Sequence, residues 1–523
     1  MKMDLIKFYE LLIERFDKFV VEWFDYSLLN NNGYYFIVEI FFCICIFFYL
    51  ILGVIFITRK NNKLNKYINI NNIFINLFIF NILIILLLLL NSIKNNFMLF
   101  NGFYIQNNFI FYFKLLLLLF SLVFLFILKF YLKFNNLDFE FLIFIFISIF
   151  AMLLILSSNN FLSLYLSLEL QNLCLYILVS FKQNSHFSTE SGLKYFIIGS
   201  VSSGLLLFGI SIIYGFTGLL NFNDIYLYLY YLNKSDYLLI YYILILSFIF
   251  ILISFLIKIS LSPFHMWSID VYYGANYYIT FFLMIIPKLI NIFILIKLLY
   301  FIFINFYLIW IYLLYICIFV SFLIGTFGAL YQIKIKKILI YSMISNTGFF
   351  FIPFLIPNIE SLVILIFYIL TYFFINIGLF ICIFALKNKN SNIIVRNSFN
   401  LINLFNINPI LAFFFLILLF SISGLPPLLG FYSKLFLFLF CLKNKLYFIT
   451  LFAILVSVIN FFYYIRLIKL IFFEKNKYWF FFDNLNVTLS LILSFIIIFN
   501  LIFFIFPNPI LLFIFKVSLY FYL

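Results

Sequence analysis

Four charged side chains lie inside long apolar stretches, and they are the residues of this 523-residue chain best placed to do chemistry. They are Glu169, Lys258, Lys288 and Lys434. Because an ionised side chain near the centre of a bilayer is costly, each needs a partner, water or a function. The single carboxylate can pair with only one of the three lysines, so two lysines remain unpaired. Desolvation and mutual repulsion favour the neutral form of buried lysines, so these lysines can exchange protons. The pattern predicts a proton relay; a structural pair between Glu169 and one lysine is the alternative.

Polar side chains at helical spacing accompany the four charges. Steps of three or four residues place side chains on one helix face, as in the sets Tyr165, Glu169, Asn172 and Tyr176; Ser254, Lys258 and Ser262; Lys288 and Asn291; Tyr341 and Ser345; and Ser342 and Asn346. Small residues of another stretch are expected to permit close helix approach, namely Ser200, Ser203, Gly204 and Ser211. A continuous polar path between helices is therefore expected.

Proline residues interrupt two of the apolar stretches. Pro263 breaks one, and Pro426 with Pro427 breaks another. Carbonyl groups freed by proline are tolerated in a membrane only where they are buried in protein or line a wet cavity. His265, just after the first break, can act as a switch near neutral pH; a helix-end histidine with satisfied hydrogen bonds is the alternative.

The elements that must position these residues are membrane-spanning helices. The chain is 67% hydrophobic and 9% charged, and runs of about 20 apolar residues, long enough to cross a bilayer, recur along it. These features predict an all-α polytopic membrane protein with about fourteen spans, approximately at 35–58, 69–92, 108–132, 140–157, 160–181, 192–219, 237–262, 273–297, 302–330, 337–357, 361–386, 409–440, 446–472 and 485–516. Glu39 and Lys114 lie nearer the ends of spans 1 and 3, and we expect them to reach the interface.

Lysine and arginine are unevenly distributed between the loops. Fifteen follow odd-numbered spans: Arg59, Lys60, Lys63, Lys66, Lys129, Lys133, Lys182, Lys334, Lys336, Lys337, Lys387, Lys389, Arg396, Lys475 and Lys477. Five follow even-numbered spans: Lys94, Lys234, Lys297, Lys443 and Lys445. The positive-inside rule places the loops after odd-numbered spans on the cytoplasmic or matrix side, with both termini opposite.

A weak internal repeat relates two groups of five spans. Spans 7 and 12 each carry a lysine near a proline break, and spans 6 and 11 both open with Glu-Ser, at Glu190 and Glu360. Because five is an odd number, the second copy would be inverted in the membrane. The repeats would be spans 4–8 over 140–297 and spans 9–13 over 302–472. Chance similarity between apolar segments is the alternative.

Three segments flank these repeats. Residues 1–34 form a slightly acidic extension with apolar residues at helical spacing, typical of an amphipathic helix. A membrane-surface helix and a partner contact are equally open for it. Residues 35–132 hold spans 1–3, and 485–523 hold span 14 and the C-terminus.

The chain lacks the residues that several function classes require. It has two histidines, His186 and His265, which cannot build a haem b pair or an oxidase core. It shows no Walker A loop, Rossmann glycine pattern or metal-spaced Cys/His cluster. Its six cysteines are expected to be small buried hydrophobes, and its net charge of +15 reflects membrane topology rather than nucleic-acid binding. We expect ion movement without a cofactor or metal in this chain.

Eight short stretches, in order along the chain, resemble the antiporter-like subunits of NADH:ubiquinone oxidoreductase (respiratory complex I). They are Tyr165–Leu173, Glu190–Gly209, Ile213–Gly218, Pro263–Trp267, Lys336–Ser342, Ser423–Pro427, Gly430–Lys434 and Tyr463–Arg466. Each is weak alone, but the ordered set is specific. The span 6 stretch resembles the chain 2 branch of that family. The extension and the divergent spans 1–3 depart from the family pattern.

The resemblance implies a fourteen-helix fold with two inverted five-helix repeats and a proton-translocating role. It implies that Glu169 pairs with Lys258. It further implies that Lys288 continues the proton axis and that Lys434 leads towards the exit. NADH, FMN, iron–sulfur clusters and ubiquinone would act in other subunits, and the partners would be other complex I membrane subunits and lipids. The location implied is the mitochondrial inner membrane, and the abundance of Phe (85 residues) resembles the AT-rich codon usage of organellar genes.

Three alternatives remain open at this stage. A stand-alone cation/proton antiporter would share the fold and most motifs. Another antiporter-like subunit of complex I would share the four charges, although the span 6 stretch disfavours it. A purely structural or assembly subunit would not need three central lysines.

The loop charges predict that both termini lie on the side away from the matrix or cytoplasm. An even number of spans and the fifteen-to-five bias require this arrangement. Protease protection of tagged termini in sealed vesicles checks it. Termini found on opposite sides would show that the number of spans is odd.

Overall fold

The computed structural model describes residues 36–58, 67–91, 97–132, 139–182, 184–232, 238–386, 395–474 and 487–522. Within these residues, thirteen helices are long and apolar enough to cross a membrane. The N-terminal extension lies outside the described residues, and so do eleven of the loop cations: Arg59, Lys60, Lys63, Lys66, Lys94, Lys133, Lys234, Lys387, Lys389, Lys475 and Lys477. The predictions made on them stay predictions.

The structure is built from α helices, as the sequence predicts. In the first half they are α1 Ile37–Thr58, α2 Tyr67–Asn91, α3 Asn108–Leu132, α4 Phe139–Ser157, α5 Phe161–Ser180, α6 His186–Thr217, α7 Phe222–Tyr231, α8 Leu238–Ile259, α9 Met266–Gly274 and α10 Tyr277–Lys297. In the second half they are α11 Tyr307–Leu330, α12 Ile335–Phe351, α13 Ile359–Ala385, α14 Leu404–Ile407, α15 Pro409–Ser423, α16 Leu429–Lys443, α17 Tyr447–Phe472, α18 Val487–Ile505 and α19 Asn508–Tyr522. A helix satisfies its backbone groups internally, which lipid requires.

Short elements connect the helices. A π-helical turn, Leu298–Ile302, extends α10, and 3₁₀ turns lie at Ile304–Phe306, Pro353–Leu355 and Ser398–Leu401. The strands β1 Phe97–Leu99 and β2 Tyr104–Gln106 form an antiparallel hairpin before α3. The hairpin is an addition to the predicted all-α class, and α7 lies in a segment predicted as a loop.

Both predicted helix breaks are present. In span 7, α8 ends at Ile259 and α9 begins after Pro263. In span 12, α15 ends at Ser423, and Pro426 precedes the start of α16. Proline lacks a backbone N–H and its ring clashes with the carbonyl four residues earlier, so neither helix continues through the break. Gly424 ends α15 with φ +85°, a left-handed conformation that glycine adopts without steric cost.

Span 14 differs from its prediction. It was expected as one helix over 485–516, but α18 ends at Ile505 and α19 begins at Asn508. Pro507 and Pro509 explain the break, because neither can donate a backbone hydrogen bond.

The last helix of each five-helix unit binds the end of the first helix of the same unit through one cation. Lys297, predicted as a loop residue, lies at the end of α10 and donates to the carbonyls of Leu156 and Ser158 at 2.9 and 3.1 Å. Arg466 of α17 donates to the carbonyl of Leu330 at the end of α11, and to the carbonyl two residues later, each at 2.6 Å. Carbonyls at a helix C-terminus lack intrahelical partners and attract cations. The shared contact supports the equivalence of spans 4–8 and 9–13.

Glu39 and Lys114 form a buried ion pair, so the expectation that they reach the interface was wrong. Their side chains are 0% and 2% exposed, and Gln106 donates to Oε1 of Glu39 at 3.2 Å. The two residues lie on α1 and α3, and each charge offsets the desolvation of the other. Oε2 of Glu39 has no hydrogen-bond partner within the described part of the chain.

We expect Lys114→Met to destabilise the protein by about 3–5 kcal/mol, because it leaves the Glu39 carboxylate buried without a counter-charge. The double variant Glu39→Leu/Lys114→Met should recover most of that loss. Thermal unfolding of the purified protein in detergent measures both effects. Lys443→Met is the control, since its pair with Glu360, at 3.6 Å, is exposed and contributes little. A double variant as unstable as the single one would contradict this account.

Candidate functional site: a polar cavity at the first helix break

A cavity of about 30 Å³ lies between α5, α6, α8, α9 and α10. Two of the predicted relay residues, Lys258 and Lys288, line it. Polar groups from four of the five helices line it as well: Gln171, Asn172, Tyr176, Tyr195, Ser202, Tyr272 and Asn291. Its volume accommodates about two water molecules.

Two acceptors in the cavity wall have no protein partner. Oε1 of Gln171 and Oδ1 of Asn291 are buried and accept no hydrogen bond from any described residue. Buried polar groups in folded proteins are nearly always bonded to protein or to ordered water. A polar cavity of this volume meets the conditions for bound water, which needs two to four polar partners. The site is therefore suited to water-mediated contacts between its ammonium and amide groups.

Lys288 is held at the helix break by a hydroxyl group. Its side chain is 1% exposed, and Nζ donates to Oγ of Ser260 at 3.1 Å. Ser260 lies between α8 and α9 with φ +64°, and it also contacts the hydroxyl of Tyr272. Pro287, inside α10, frees the carbonyl of Leu283, a cavity-lining residue. The break thus places a hydroxyl pair beside the ammonium group.

Lys258 lies in the last turn of α8 and is half-buried. Its Nζ is 5.7 Å from the centre of the Phe255 ring. The Glu169 carboxylate acts on it electrostatically, although no ion pair within 4.0 Å joins these two described residues. Asn172, which donates to Glu169 at 3.4 Å, lines the same cavity. The predicted pairing is therefore not direct, and a water-bridged contact stays a prediction.

His265 precedes α9 and is 1% exposed. Its Nδ1 is buried and has no hydrogen-bond partner of good geometry among the described residues, although the backbone of Pro263 lies close to the imidazole, so the alternative of a satisfied helix-end histidine stays open. Trp267 anchors the start of α9 by donating from Nε1 to the carbonyl of Ile257 at 2.9 Å. Its ring stacks on Tyr195 at 5.1 Å. The role of His265 on the pathway stays a prediction.

Lys434 lies at the second helix break. Its side chain is 5% exposed, and Nζ donates to the carbonyl of Ser423, the last residue of α15, at 2.8 Å. The ammonium lies 5.4 Å from the centre of the Phe349 ring. A Cβ on Gly424 would come within 2.8 Å of Cδ of Lys434. A backbone carbonyl thus stabilises this lysine, and the glycine leaves room for its side chain.

Buried tyrosines lead from the cavity into the second unit. Tyr272 lies near Tyr372, and Tyr372 lies near Tyr464. Tyr368 donates to Oδ1 of Asn346 at 3.0 Å. Ser342, Ser345 and Asn346 were predicted as part of the polar path, whereas the tyrosines on α13 and α17 were not. The four-residue spacing of Tyr368 and Tyr372 is a signal, but 39 tyrosines in the chain obscure it.

The predicted packing face of α6 was wrong. Ser200, Gly204 and Ser211 are exposed, and only Ser203 of the predicted set is buried. The close approaches occur at Gly199, which contacts the hydroxyl of Tyr176, and at Gly209, where a Cβ would lie 2.8 Å from the carbonyl oxygen of Ser247. The face of α6 that packs against neighbouring helices is therefore rotated about the helix axis from the face that was predicted.

The cysteines are free thiols, as expected, and all but Cys43 are buried. Within the described ranges, no group of three or more His, Cys, Asp or Glu side chains could hold a metal ion.

Comparisons with known proteins give relatives along nearly the whole chain. Residues 158–460 match the family described as NADH:quinone oxidoreductase/Mrp antiporter, TM. NADH-quinone oxidoreductase subunit N of Pelagibacter ubique is 35% identical over 486 residues, covering 92% of this chain and 98% of that protein. NADH-ubiquinone oxidoreductase chain 2 of Marchantia polymorpha is 38% identical over 376 residues, covering 71% of this chain and 75% of that protein.

Solved structures share the fold at lower sequence identity. A chain of respiratory complex I from Thermus thermophilus superimposes with a TM-score of 0.72 at 22% identity, covering 91% of this chain and 98% of that chain. A chain of the Mrp complex from Dietzia gives a TM-score of 0.75 at 15% identity, covering 92% and 96%. On these matches, the chain belongs to the NADH:quinone oxidoreductase/Mrp antiporter transmembrane family and is an antiporter-like membrane subunit.

Proposed function

We propose that this chain translocates protons as a non-redox membrane subunit of an NADH:quinone oxidoreductase. The observation that carries the proposal is the cavity at the first helix break. Two lysines line it together with two amide oxygens that accept no hydrogen bond from the described residues. The names of the relatives, subunit N and chain 2 of NADH oxidoreductases, support the assignment to that complex. Electrons would pass through NADH, FMN, iron–sulfur clusters and ubiquinone in other subunits.

The first half of the proposed relay works through the cavity. The Glu169 carboxylate acts on the Lys258 ammonium electrostatically. Water bound to the amide oxygens can pass a proton between Lys258 and Lys288, since both lysines line the same space. Lys288 in turn donates to Ser260, which contacts Tyr272. Proton transfer requires such short contacts between groups that both donate and accept.

The second half runs through the tyrosines to Lys434. Tyr272 lies near Tyr372 across the boundary between the units, and Tyr372 lies near Tyr464. Phe349 contacts both Tyr368 and Lys434, which places this polar cluster beside the second break. Lys434, bound to one carbonyl at that break, is the terminal carrier in this proposal.

A stand-alone cation/proton antiporter is the second candidate, because the Mrp complex chain shares the fold. The cavity argues against a metal cation as its cargo. Hard cations prefer several oxygen ligands, including carboxylates, whereas ammonium groups occupy this site. Co-purification with flavin-containing and iron–sulfur subunits would support the oxidoreductase, and purification as an isolated antiporter would contradict it. Other complex I membrane subunits and lipids are its proposed partners, in the mitochondrial inner membrane.

Lys434→Met is expected to abolish most proton pumping and to lower coupled quinone reductase turnover, with assembly largely retained. Lys434→Arg should also impair pumping, because arginine does not release its proton. Turnover and proton translocation are measured on the purified complex in proteoliposomes. Lys443→Met, on the same helix but exposed, is the control. A methionine variant that pumps at the normal ratio to turnover would remove Lys434 from the path, and a fully active arginine variant would show that a fixed charge suffices.

Glu169→Gln and Lys258→Met are expected to be non-additive. If the carboxylate acts by stabilising the Lys258 ammonium, the double variant should lose little more activity than Lys258→Met alone. Initial rates of quinone reduction and proton uptake for the four proteins of the cycle provide the measurement. Losses that multiply would instead show that Glu169 acts independently of Lys258.

A further inference from the structure

Lys336 is a buried cation at the boundary between the two five-helix units, and the proposed relay does not use it. It was predicted to lie in a loop with Lys334 and Lys337, which was wrong, because it is the second residue of α12 and is 4% exposed. Its Nζ donates to the carbonyl of Tyr273 at 3.1 Å and to the carbonyl of Ala275. No carboxylate of the described chain forms an ion pair with it.

The two carbonyls belong to the link between α9 and α10. The carbonyl of Tyr273 is among the last four of α9, which have no partner inside the helix, and Ala275 lies just before α10. The ammonium also lies 4.7 Å from the ring centre of Tyr277, the first residue of α10. A neighbouring charge that acts on Lys336, that of Arg396, is also positive. The two carbonyls and the ring therefore bind the ammonium group of Lys336. Through these contacts, Lys336 connects α12 to α9 and α10 of the other unit.

The position of α9 bears directly on the cavity. This nine-residue helix supplies Trp267 and Tyr272 to the cavity wall. The hydroxyl of Tyr272 contacts Ser260, which accepts the hydrogen bond from Lys288. At Gly274, a Cβ would lie 2.5 Å from a backbone oxygen of α6. The end of α9 is thus enclosed by α6 on one side and fixed by α12 on another.

We propose that Lys336 is a positioning residue of the second unit that sets the geometry of the proton site in the first. By binding the end of α9, it keeps the Tyr272 hydroxyl and Ser260 aligned with Lys288. A change in the position of α12 would then alter the hydrogen bond of that lysine. The functional part of this inference rests on the proposed relay, whereas the contact with α9 does not.

Hydrogen exchange in the intact purified complex tests the contact. In Lys336→Met, amides within 266–276 should exchange about tenfold faster, because a charge-assisted contact at the helix end is lost, while those of 429–443 stay unchanged. Quinone reductase turnover should fall several-fold. Lys336→Arg should restore both readouts, since arginine can donate to the same carbonyls. Lys337→Met is the matched control, because Nζ of Lys337 lies 5.0 Å from the Tyr273 ring centre and donates to no carbonyl of the described residues.

Each result decides the proposal. If the amides within 266–276 exchange at an unchanged rate in Lys336→Met, the proposal is overturned whatever the activity. It is also overturned if these amides exchange faster while turnover and pumping stay normal. Lys336→Gln, which keeps one donor group, replaces the methionine variant if that variant does not assemble, and should show a smaller change in the same direction. Lys288→Met, assayed in parallel, reports on the relay itself. Normal pumping by Lys288→Met would reject the relay, and the exchange data would still decide whether Lys336 holds α9.

Discussion

Carbonyl groups at helix C-termini fix the positions of four cations in the interior of this chain. A membrane interior offers no water to these carbonyls, so each needs a donor from the protein. Four cations supply one: Lys297 at the end of α4, Lys336 at the end of α9, Arg466 at the end of α11 and Lys434 at the end of α15. The negative end of the helix dipole adds to each contact. One requirement of the backbone thus places cations on both five-helix units and at their boundary.

The same contacts separate the cations into two groups. Lys297, Lys336 and Arg466 each bind two carbonyls, which stabilise the protonated form and hold the side chain in place. Lys258 and Lys288 border a cavity, and Lys288 has a hydroxyl partner, which can accept or donate. In the second environment the partner of the lysine is a group that can itself take up and pass on a proton, which a carbonyl cannot do. The proposed relay therefore uses the lysines whose partners can exchange protons, and not every buried lysine.

The sequence predicted the spans, the two breaks and the central charges because each leaves a local signal: apolar length, proline, or a charge inside an apolar run. The contacts between distant segments left no such signal. Lys297 and Lys336 were taken as loop residues because they lie near span ends, although both are bonded to other helices. Glu39 and Lys114, 75 residues apart, gave no sign of pairing. The packed face of α6 was misplaced because several of its faces carry small residues and the neighbouring helices decide which one packs.

The surroundings of Lys434 are intermediate between those of the two groups of cations, and such surroundings suit the proposed terminal carrier. Within the part of the chain that the structure describes, it has one carbonyl partner rather than two, and an aromatic ring lies beside it. One carbonyl orients the ammonium without satisfying all three of its donors. The remaining donors are available to water entering at the break, where Pro426 and Pro427 leave the backbone without N–H groups. The absence of a side chain on Gly424 lets the backbone at the break lie close to the lysine stem. Both helix breaks arise from proline in the fourth span of a five-helix unit, but they surround their lysines differently. In the first unit two lysines share a cavity, and in the second unit the lysine binds a backbone carbonyl.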